Sequence, residues 1–341
     1  TTTSTGFKLA LSRKSAWLEP IYGPLDFYPI VRRVVRLIRP RCLILVEAEV
    51  WPNLVCEVRR SGAKTALVNA RLSPRSEKRY RAVSWITAPI FNQLDLLCLQ
   101  EPCDADRWKS LGLDPAKLVL TGSIKFDDGA TAHRTARDFR PVLDEIGVSV
   151  DAPILLGGST FEGEELILAN VFKELRKSHP NLFLILVPRH HERADSVARQ
   201  LEQAGLVVMR RTKHFTEGKP DVLLVDTTGE LAGWYLCATV VFVGKSLCAQ
   251  GGQNPAEPIA AGVPVIFGPH MQNFSTLVRA FLHKGGAMEV KDATGIRNAV
   301  TDLLASSNLR ADMVANAAKC LEIHRGATKK TTDLLQSRIL L

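Results

Sequence analysis

The sequence predicts an α/β protein made of two doubly wound domains, each on a parallel sheet. Three observations carry this. Short runs of Val, Ile and Leu recur along the 341 residues, helical patterns lie between them, and the runs fall into two sets on either side of residues 128–152. A near-continuous apolar run is what a strand buried on both faces requires, and helices between such strands provide the crossovers that parallel pairing needs. The length suits two domains of about 150 residues each and is ample for cores without covalent staples.

The opening Thr1-Thr2-Thr3-Ser4-Thr5-Gly6 reads as a strand end passing into a helix N-terminus, with a helical pattern over 7–15. A βα unit that opens on its strand implies further chain upstream of Thr1, and no charged start or apolar core of a signal peptide is visible. In the first half, strands are expected at 42–46, 65–68, 94–99 and 118–121, with helices at 28–38, 54–61 and 73–84. In the second half, strands are expected at 154–157, 182–187, 222–225, 239–243 and 263–267. Helices are expected there at 162–178, 189–204, 231–237, 255–261, 273–284 and 293–322. The domains are therefore drawn as 1–128 and 129–341, facing a cleft, with the last helix free to pack back on the first domain.

Composition removes several classes. Disorder, collagen and disulfide scaffolds each need a bias that 46% hydrophobic and 23% charged residues do not show. The seven cysteines are scattered and odd in number, so they read as reduced thiols of a cytosolic protein. No apolar run approaches the roughly 18 residues of a membrane helix. The net charge of +9 is informative because it is uneven: residues 1–100 hold 16 Lys+Arg against 7 Asp+Glu, and the remainder is balanced. Such a basic block suits an anionic membrane surface or an acidic substrate, and a solvated face accounts for it too. Nucleic acid is disfavoured, since aromatics are not interleaved with the charges and no binding motif appears.

Ligands of open α/β sheets sit at the carboxyl ends of the strands. Four such ends in the second half are polar and rich in glycine. After the run at 154–156 comes Gly157-Gly158-Ser159-Thr160 and an acidic helix start, where glycines would let a phosphate approach free amides. A capped helix start explains much of the same stretch. After 184–187 comes Pro188-Arg189-His190-His191, in which Arg189 suits a phosphate. The paired histidines do not make a metal site, because adjacent side chains point apart and no further ligand lies nearby. After 222–225, Gly229, Glu230 and Leu231 open another helix whose amides could hold more of one ligand. The last is Gly244-Lys245-Ser246 followed by Gly251-Gly252-Gln253-Asn254-Pro255-Ala256-Glu257. There Asn254 can cap, Pro255 fits a helix start and Glu257 can accept from the two hydroxyls of a ribose. Together these loops suit a nucleotide-sugar. No Walker lysine or dinucleotide fingerprint is present, and no cofactor or metal is called for.

These stretches, in order with Glu47-Ala48-Glu49-Val50-Trp51-Pro52-Asn53, Asn69-Ala70-Arg71, Gly122-Ser123-Ile124-Lys125 and Gly268-Pro269-His270, run through nearly the whole chain. As an ordered set they resemble the Kdo transferases. These are GT-B-fold glycosyltransferases that move 3-deoxy-D-manno-octulosonic acid (Kdo) from CMP-Kdo to a lipid A precursor in lipopolysaccharide synthesis. The resemblance implies a second domain that binds CMP-Kdo and a first that binds the phosphorylated, acylated disaccharide. It also implies a peripheral place on the cytoplasmic face of the bacterial inner membrane. The family's general-base Glu and its membrane anchor would both lie upstream of Thr1. Lys245 stands where the family often has Gly, and Gln253 where it often has His.

On that resemblance the reaction is an inverting, metal-independent displacement at the anomeric carbon. A carboxylate takes the acceptor's proton while CMP leaves toward Arg189 and the amides near Ser159 and Thr160. The donor set is Ser159, Thr160, Arg189, His190, Gly229, Glu230, Leu231, Gly244, Ser246, Gly251, Gly252, Asn254 and Glu257. Within the chain, Glu49 is the best remaining acid, and Lys125 would meet the Kdo carboxylate or an acceptor phosphate. Glu47, Trp51, Asn69 and Arg71 would line the acceptor side. Two alternatives stand: a GT-B enzyme using a UDP-sugar, either transferase or epimerase, and an inactive donor-binding fragment lacking the upstream Glu.

Overall fold

A computed structural model describes residues 3–127, 136–213 and 218–340. The chain divides into two compact units, Thr1–Ile124 with Gly326–Leu341, and Lys125–Arg325. The expected boundary between residues 128 and 129 lies outside the described residues. Gly326–Leu341, drawn above within 129–341 with its last helix free to pack back on the first domain, groups with the first unit.

In the first unit, β1 (Cys42–Val46), β2 (Lys64–Ala70), β3 (Leu96–Leu99) and β4 (Leu118–Leu120) form a parallel sheet in sequential order. Alternate residues face opposite sides. Leu67 and Leu97 join one core with Phe91 and Trp108. Ala66, Val68, Leu96 and Cys98 join another, closed by Ile339 near the chain's C-terminal end. Apolar complementarity explains that return: each aliphatic side chain so covered contributes about 1.5–3 kcal/mol. β1 departs from the two-sided burial expected of it, since Ile44 and Val46 stay exposed.

The second unit holds a parallel seven-stranded sheet in the order β11-β10-β9-β5-β6-β8-β7. Its strands are β5 (Ile154–Thr160), β6 (Phe183–Pro188), β7 (Val208–Arg210), β8 (Val222–Leu224), β9 (Val240–Val243), β10 (Val265–Phe267) and β11 (Met288–Glu289). The chain starts at central β5, winds outward on one side, then crosses to β9 on the other. The strand order therefore reverses between β5 and β9, where open sheets leave a crevice at their carboxyl ends.

Several elements differ from expectation for identifiable reasons. Thr3 caps a helix, Ser4–Leu11, where a strand end was read, and Thr1 and Thr2 lie outside the described residues. The pattern over 293–322 is broken at Ser306, which caps a second helix through the amide of Leu309. Helices Ser84–Phe91 and Pro102–Ser110 escape a periodicity reading because one contains Pro89 and the other is short and mixed. The two-residue β11 and three-residue β7 are too short to announce themselves. All seven cysteines are unpaired. Among the described residues no helix is long and apolar enough to cross a membrane.

Candidate functional site

The second unit's site is built where β5 and β9 end. β5 runs on to Thr160, past its expected end at 157, so Gly157 and Gly158 lie inside the strand and not in an open loop. A Cβ on Gly158 would meet the Tyr235 hydroxyl at 2.9 Å, so this glycine admits a buried ring, which corrects the reading of it as room for a phosphate. Ser159 at φ 53° and Lys245 at φ 58° end β5 and β9 in the left-handed region. Backbone held there by non-glycine residues costs energy that the surroundings must repay, and it collects at functional sites. Gly244 joins the two ends: a Cβ on it would sit 2.2 Å from the Ser159 carbonyl oxygen.

A side chain that periodicity could not single out holds this junction. Glu164, fully buried, accepts from the amides of Phe161 and Lys245 through Oε2, each at 2.8 Å. Its Oε1 accepts from Ser246 and Leu247, each at 3.0 Å. The acidic helix start thus supplies its own anion to the loop amides. Thr160 and Ser246, both named as donor contacts, turn inward. The Thr160 hydroxyl donates to Glu165 at 3.0 Å, and Ser246 donates to the Val243 carbonyl while accepting from the Gly268 amide. Their side chains shape the loops and are fully buried.

What remains open at this edge is chemically distinct. Arg189, exposed, follows β6 and is tied to β5 by its amide, which donates to the Thr160 carbonyl at 3.0 Å. Glu257 sits in the first turn of helix Ala256–Ala260, and its Oε1 accepts from Asn254 at 3.0 Å. Burial pushes the Glu257 carboxyl above its usual range, Asn254 and the Arg189 guanidinium partly offset this, and its charge in turn raises the already buried Tyr235 hydroxyl. A desolvated acid beside an exposed guanidinium offers one hydrogen-bond acceptor and one fixed positive charge to a single ligand. His190 lies edge-on to Phe161 at 5.5 Å between ring centroids, and the Lys245 ammonium lies 5.1 Å from the same ring. Phe161 and Lys245 were absent from the expected donor set. Their link to His190 crosses two loops and is invisible in spacing.

Gly251 and Gly252, at φ 110° and 71°, form the turn expected of them and interlock with the next loop. The Gly251 amide donates to the Gln272 side chain at 2.8 Å, and Asn273 donates to the Gly251 carbonyl at 3.0 Å. Asn254 accepts from the Ala256 amide at 3.0 Å, as a cap would. After β8, Gly229 is exposed at φ 83° and precedes Leu231, while the Glu230 carboxylate is taken by Thr227 at 2.7 Å and Arg211 at 3.4 Å. Glu230 therefore anchors its turn. Beside it opens a cavity of about 540 Å³ that Arg211 and Lys213 also line. Deeper in the unit, burial pushes Glu165 up, and Arg193 at 3.1 Å counters that.

In the first unit, the ends of β1 and β2 repeat the strained backbone: Glu47 has φ 64° and Asn69 φ 52°. Asn69, read as an acceptor contact, is buried. Its Oδ1 accepts from the Ile124 amide at 3.1 Å and its carbonyl from Gln100 at 2.7 Å, so the side chain fixes the chain's exit from β4. Glu49 and Trp51 are exposed, and Arg71 is half-buried. Trp51 precedes helix Pro52–Arg60, whose first amides are capped by a distant residue, Asp26, through Asn53 at 3.1 Å and Leu54 at 2.9 Å. Lys125 is exposed and opens the second unit.

Comparison with known proteins is consistent along the chain. The sequence family described as 3-deoxy-D-manno-octulosonic-acid transferase (kdotransferase) matches residues 1–128. A 3-deoxy-D-manno-octulosonic acid transferase of Haemophilus influenzae is 34% identical over 319 residues, covering 92% of this chain and 74% of that protein. One of Bordetella pertussis is 35% identical over 350 residues, covering 98% and 79%. Among solved structures, the C-terminal CMP-Kdo binding domain of WaaA from Acinetobacter baumannii matches at TM-score 0.50 and 28% identity. It covers 58% of this chain and 99% of that domain. UDP-GlcNAc 2-epimerase from Neisseria meningitidis matches at TM-score 0.59 over 91% of this chain and 80% of its own, at 13% identity, a likeness of fold alone. With this degree of identity sustained over most of both chains, on two parallel α/β units of the GT-B class, the chain belongs to the 3-deoxy-D-manno-octulosonic acid transferases.

Proposed function

We propose that the protein transfers Kdo from CMP-Kdo to a lipid A precursor, with inversion at the anomeric carbon and without a metal ion. The observation that carries the donor assignment is the presence of exposed Arg189 and of Glu257, held by Asn254, at the strand ends of a unit similar to a CMP-Kdo binding domain. In this reading Arg189 takes the charge that grows on the leaving phosphate, the role a divalent ion plays in other transferases. Glu257 accepts from the ribose hydroxyls, and the backbone at 229–231 receives the rest of the cytidylate. Lys125 meets a carboxylate or phosphate of one substrate, and Glu49 is the acid of the first unit assigned to proton removal. Glu47, Trp51 and Arg71 line the acceptor side. The basic surplus of residues 1–100 draws the protein to an anionic leaflet, so it works peripherally on the cytoplasmic face of the inner membrane.

Thermal unfolding with CMP or UDP tests the donor. A ligand at a hundredfold excess over its Kd stabilises by about 2.7 kcal/mol. CMP is expected to raise Tm, and Arg189→Ala to abolish the rise. A shift with UDP and none with CMP would move the protein to the UDP-sugar enzymes of the same fold.

A further inference from the structure

Four amides at the junction of β5 and β9 are closed to a ligand anion. The Glu164 carboxylate already accepts from Phe161, Lys245, Ser246 and Leu247. Side-chain cations are left to meet an anion there. Arg189 is one. Lys245 is the other: it is half-buried, Glu164 holds its amide, and among the described residues its ammonium forms no ion pair. Its backbone shows what the residue is for. At φ 58° Lys245 adopts a conformation that glycine reaches at little cost and a lysine does not. Glycine would serve the turn better, so the lysine contributes through its side chain. Phe161 decides where that side chain goes. The ammonium lies 5.1 Å from the ring centroid, and His190 packs edge-on against the same ring at 5.5 Å. An aromatic face orients a cation without neutralising it, so the charge stays available to a ligand.

We propose that Lys245 determines donor specificity by binding a carboxylate on the donor's sugar; the inference rests on the cytidylate reading of this site given above. Arg189 and Lys245 follow β6 and β9, the two strands that pair with β5 on either side. Neighbouring strands lie about 4.8 Å apart, so the two chains leave the sheet roughly 10 Å from each other, within reach of one ligand for side chains of this length. A sugar acid activated as a nucleotide ester at its anomeric carbon carries two anions on that one carbon, the phosphodiester and the carboxylate. Arg189 meets the first and Lys245 the second. A neutral sugar on the same nucleotide leaves the ammonium unanswered, and a cation held in place without its partner discriminates against that ligand.

Calorimetric titration of the full chain with freshly prepared CMP-Kdo, and with CMP methyl ester as a phosphodiester lacking the sugar acid, tests the proposal. Wild type should bind CMP-Kdo the more tightly. Lys245→Met, which keeps the apolar stem on Phe161, and Lys245→Gly should each weaken CMP-Kdo about tenfold and the methyl ester less than about twofold. Lys245→Arg should restore most of the loss. Without ligand, Lys245→Gly should melt no lower than wild type, because it relieves the backbone. A large fall in its Tm would make the lysine a structural residue and overturn the proposal. Equal losses for both ligands would place the ammonium on the phosphate, and no loss for either would leave it idle on Phe161; each outcome overturns the carboxylate assignment. A wild type that binds CMP but does not prefer CMP-Kdo to the ester refutes this inference alone, whereas one that binds no cytidylate refutes the donor reading as well.

Discussion

Glu164, buried, and Glu257, half-buried, are two acids with opposite duties. Glu164 spends both carboxylate oxygens on four loop amides, so its loss strands donors that water reaches poorly. Glu164→Ala is expected to destabilise the second unit by about 2–4 kcal/mol in urea unfolding followed through Trp234 fluorescence, and to remove CMP binding with it. Glu257 is instead held at a cost, since burial raises its carboxyl above the ordinary value of 4.5. The sign follows from linkage. As pH climbs past 4.5 the unfolded chain ionises before the folded one, so wild type loses stability over that window. Glu257→Gln escapes the loss. Its Tm should exceed that of wild type at neutral pH, the gap should close below 4.5, and its affinity for CMP should fall roughly tenfold. A variant that lost both stability and affinity would make Glu257 merely structural.

At the scale of elements, capping and close approach decide what periodicity leaves open. Helix Pro52–Arg60 has no side-chain cap of its own, and Asp26 caps it from across a loop. Asp26→Ala should cost about 1 kcal/mol of stability, measured by chemical unfolding, as the loss of a helix cap does elsewhere. The ends of β5 and β9 touch backbone to backbone at Gly244. Gly244→Ala must push the ends apart and is expected to cost about 1–3 kcal/mol while blurring the ligand edge, seen as loss of the CMP-induced Tm shift. Among the described residues, four of the five non-glycine residues with positive φ, namely Glu47, Asn69, Ser159 and Lys245, stand at or just beyond carboxyl ends of strands. The fifth, Arg39, closes helix Tyr28–Ile38.

At the scale of the molecule, the first unit is completed by the last residues of the chain. Ile339 with Leu334 and Leu335 covers Val68 and Cys98, and the Lys64 ammonium donates to the Arg338 carbonyl at 3.0 Å. Burial pushes the Cys98 thiol up to about 11, so it is protected twice, by cover and by protonation. Ile339→Ala opens a gap of several methyl groups and should destabilise the first unit by about 2–4 kcal/mol. Cys98 should then react with a thiol reagent well before Cys237, which lies under other cover in the second unit. Equal labelling rates in wild type and variant would show that the C-terminal segment does not guard that face.

Much of this architecture was legible in the order of residues. Buried strands announce themselves as aliphatic runs because nothing else can be enclosed by helices on both faces, and glycine-rich segments at their carboxyl ends, with Arg189 and Glu257, single out the edge where a ligand is proposed. Periodicity stops at contacts between distant segments. Only the folded chain turns Thr160, Ser246 and Asn69 inward, commits Glu164 to loop amides, links Phe161 to Lys245 and His190, and returns Ile339 to the first sheet. Local preference acts over a few residues, whereas the partner of a buried polar group is set by whichever segment tertiary packing brings beside it.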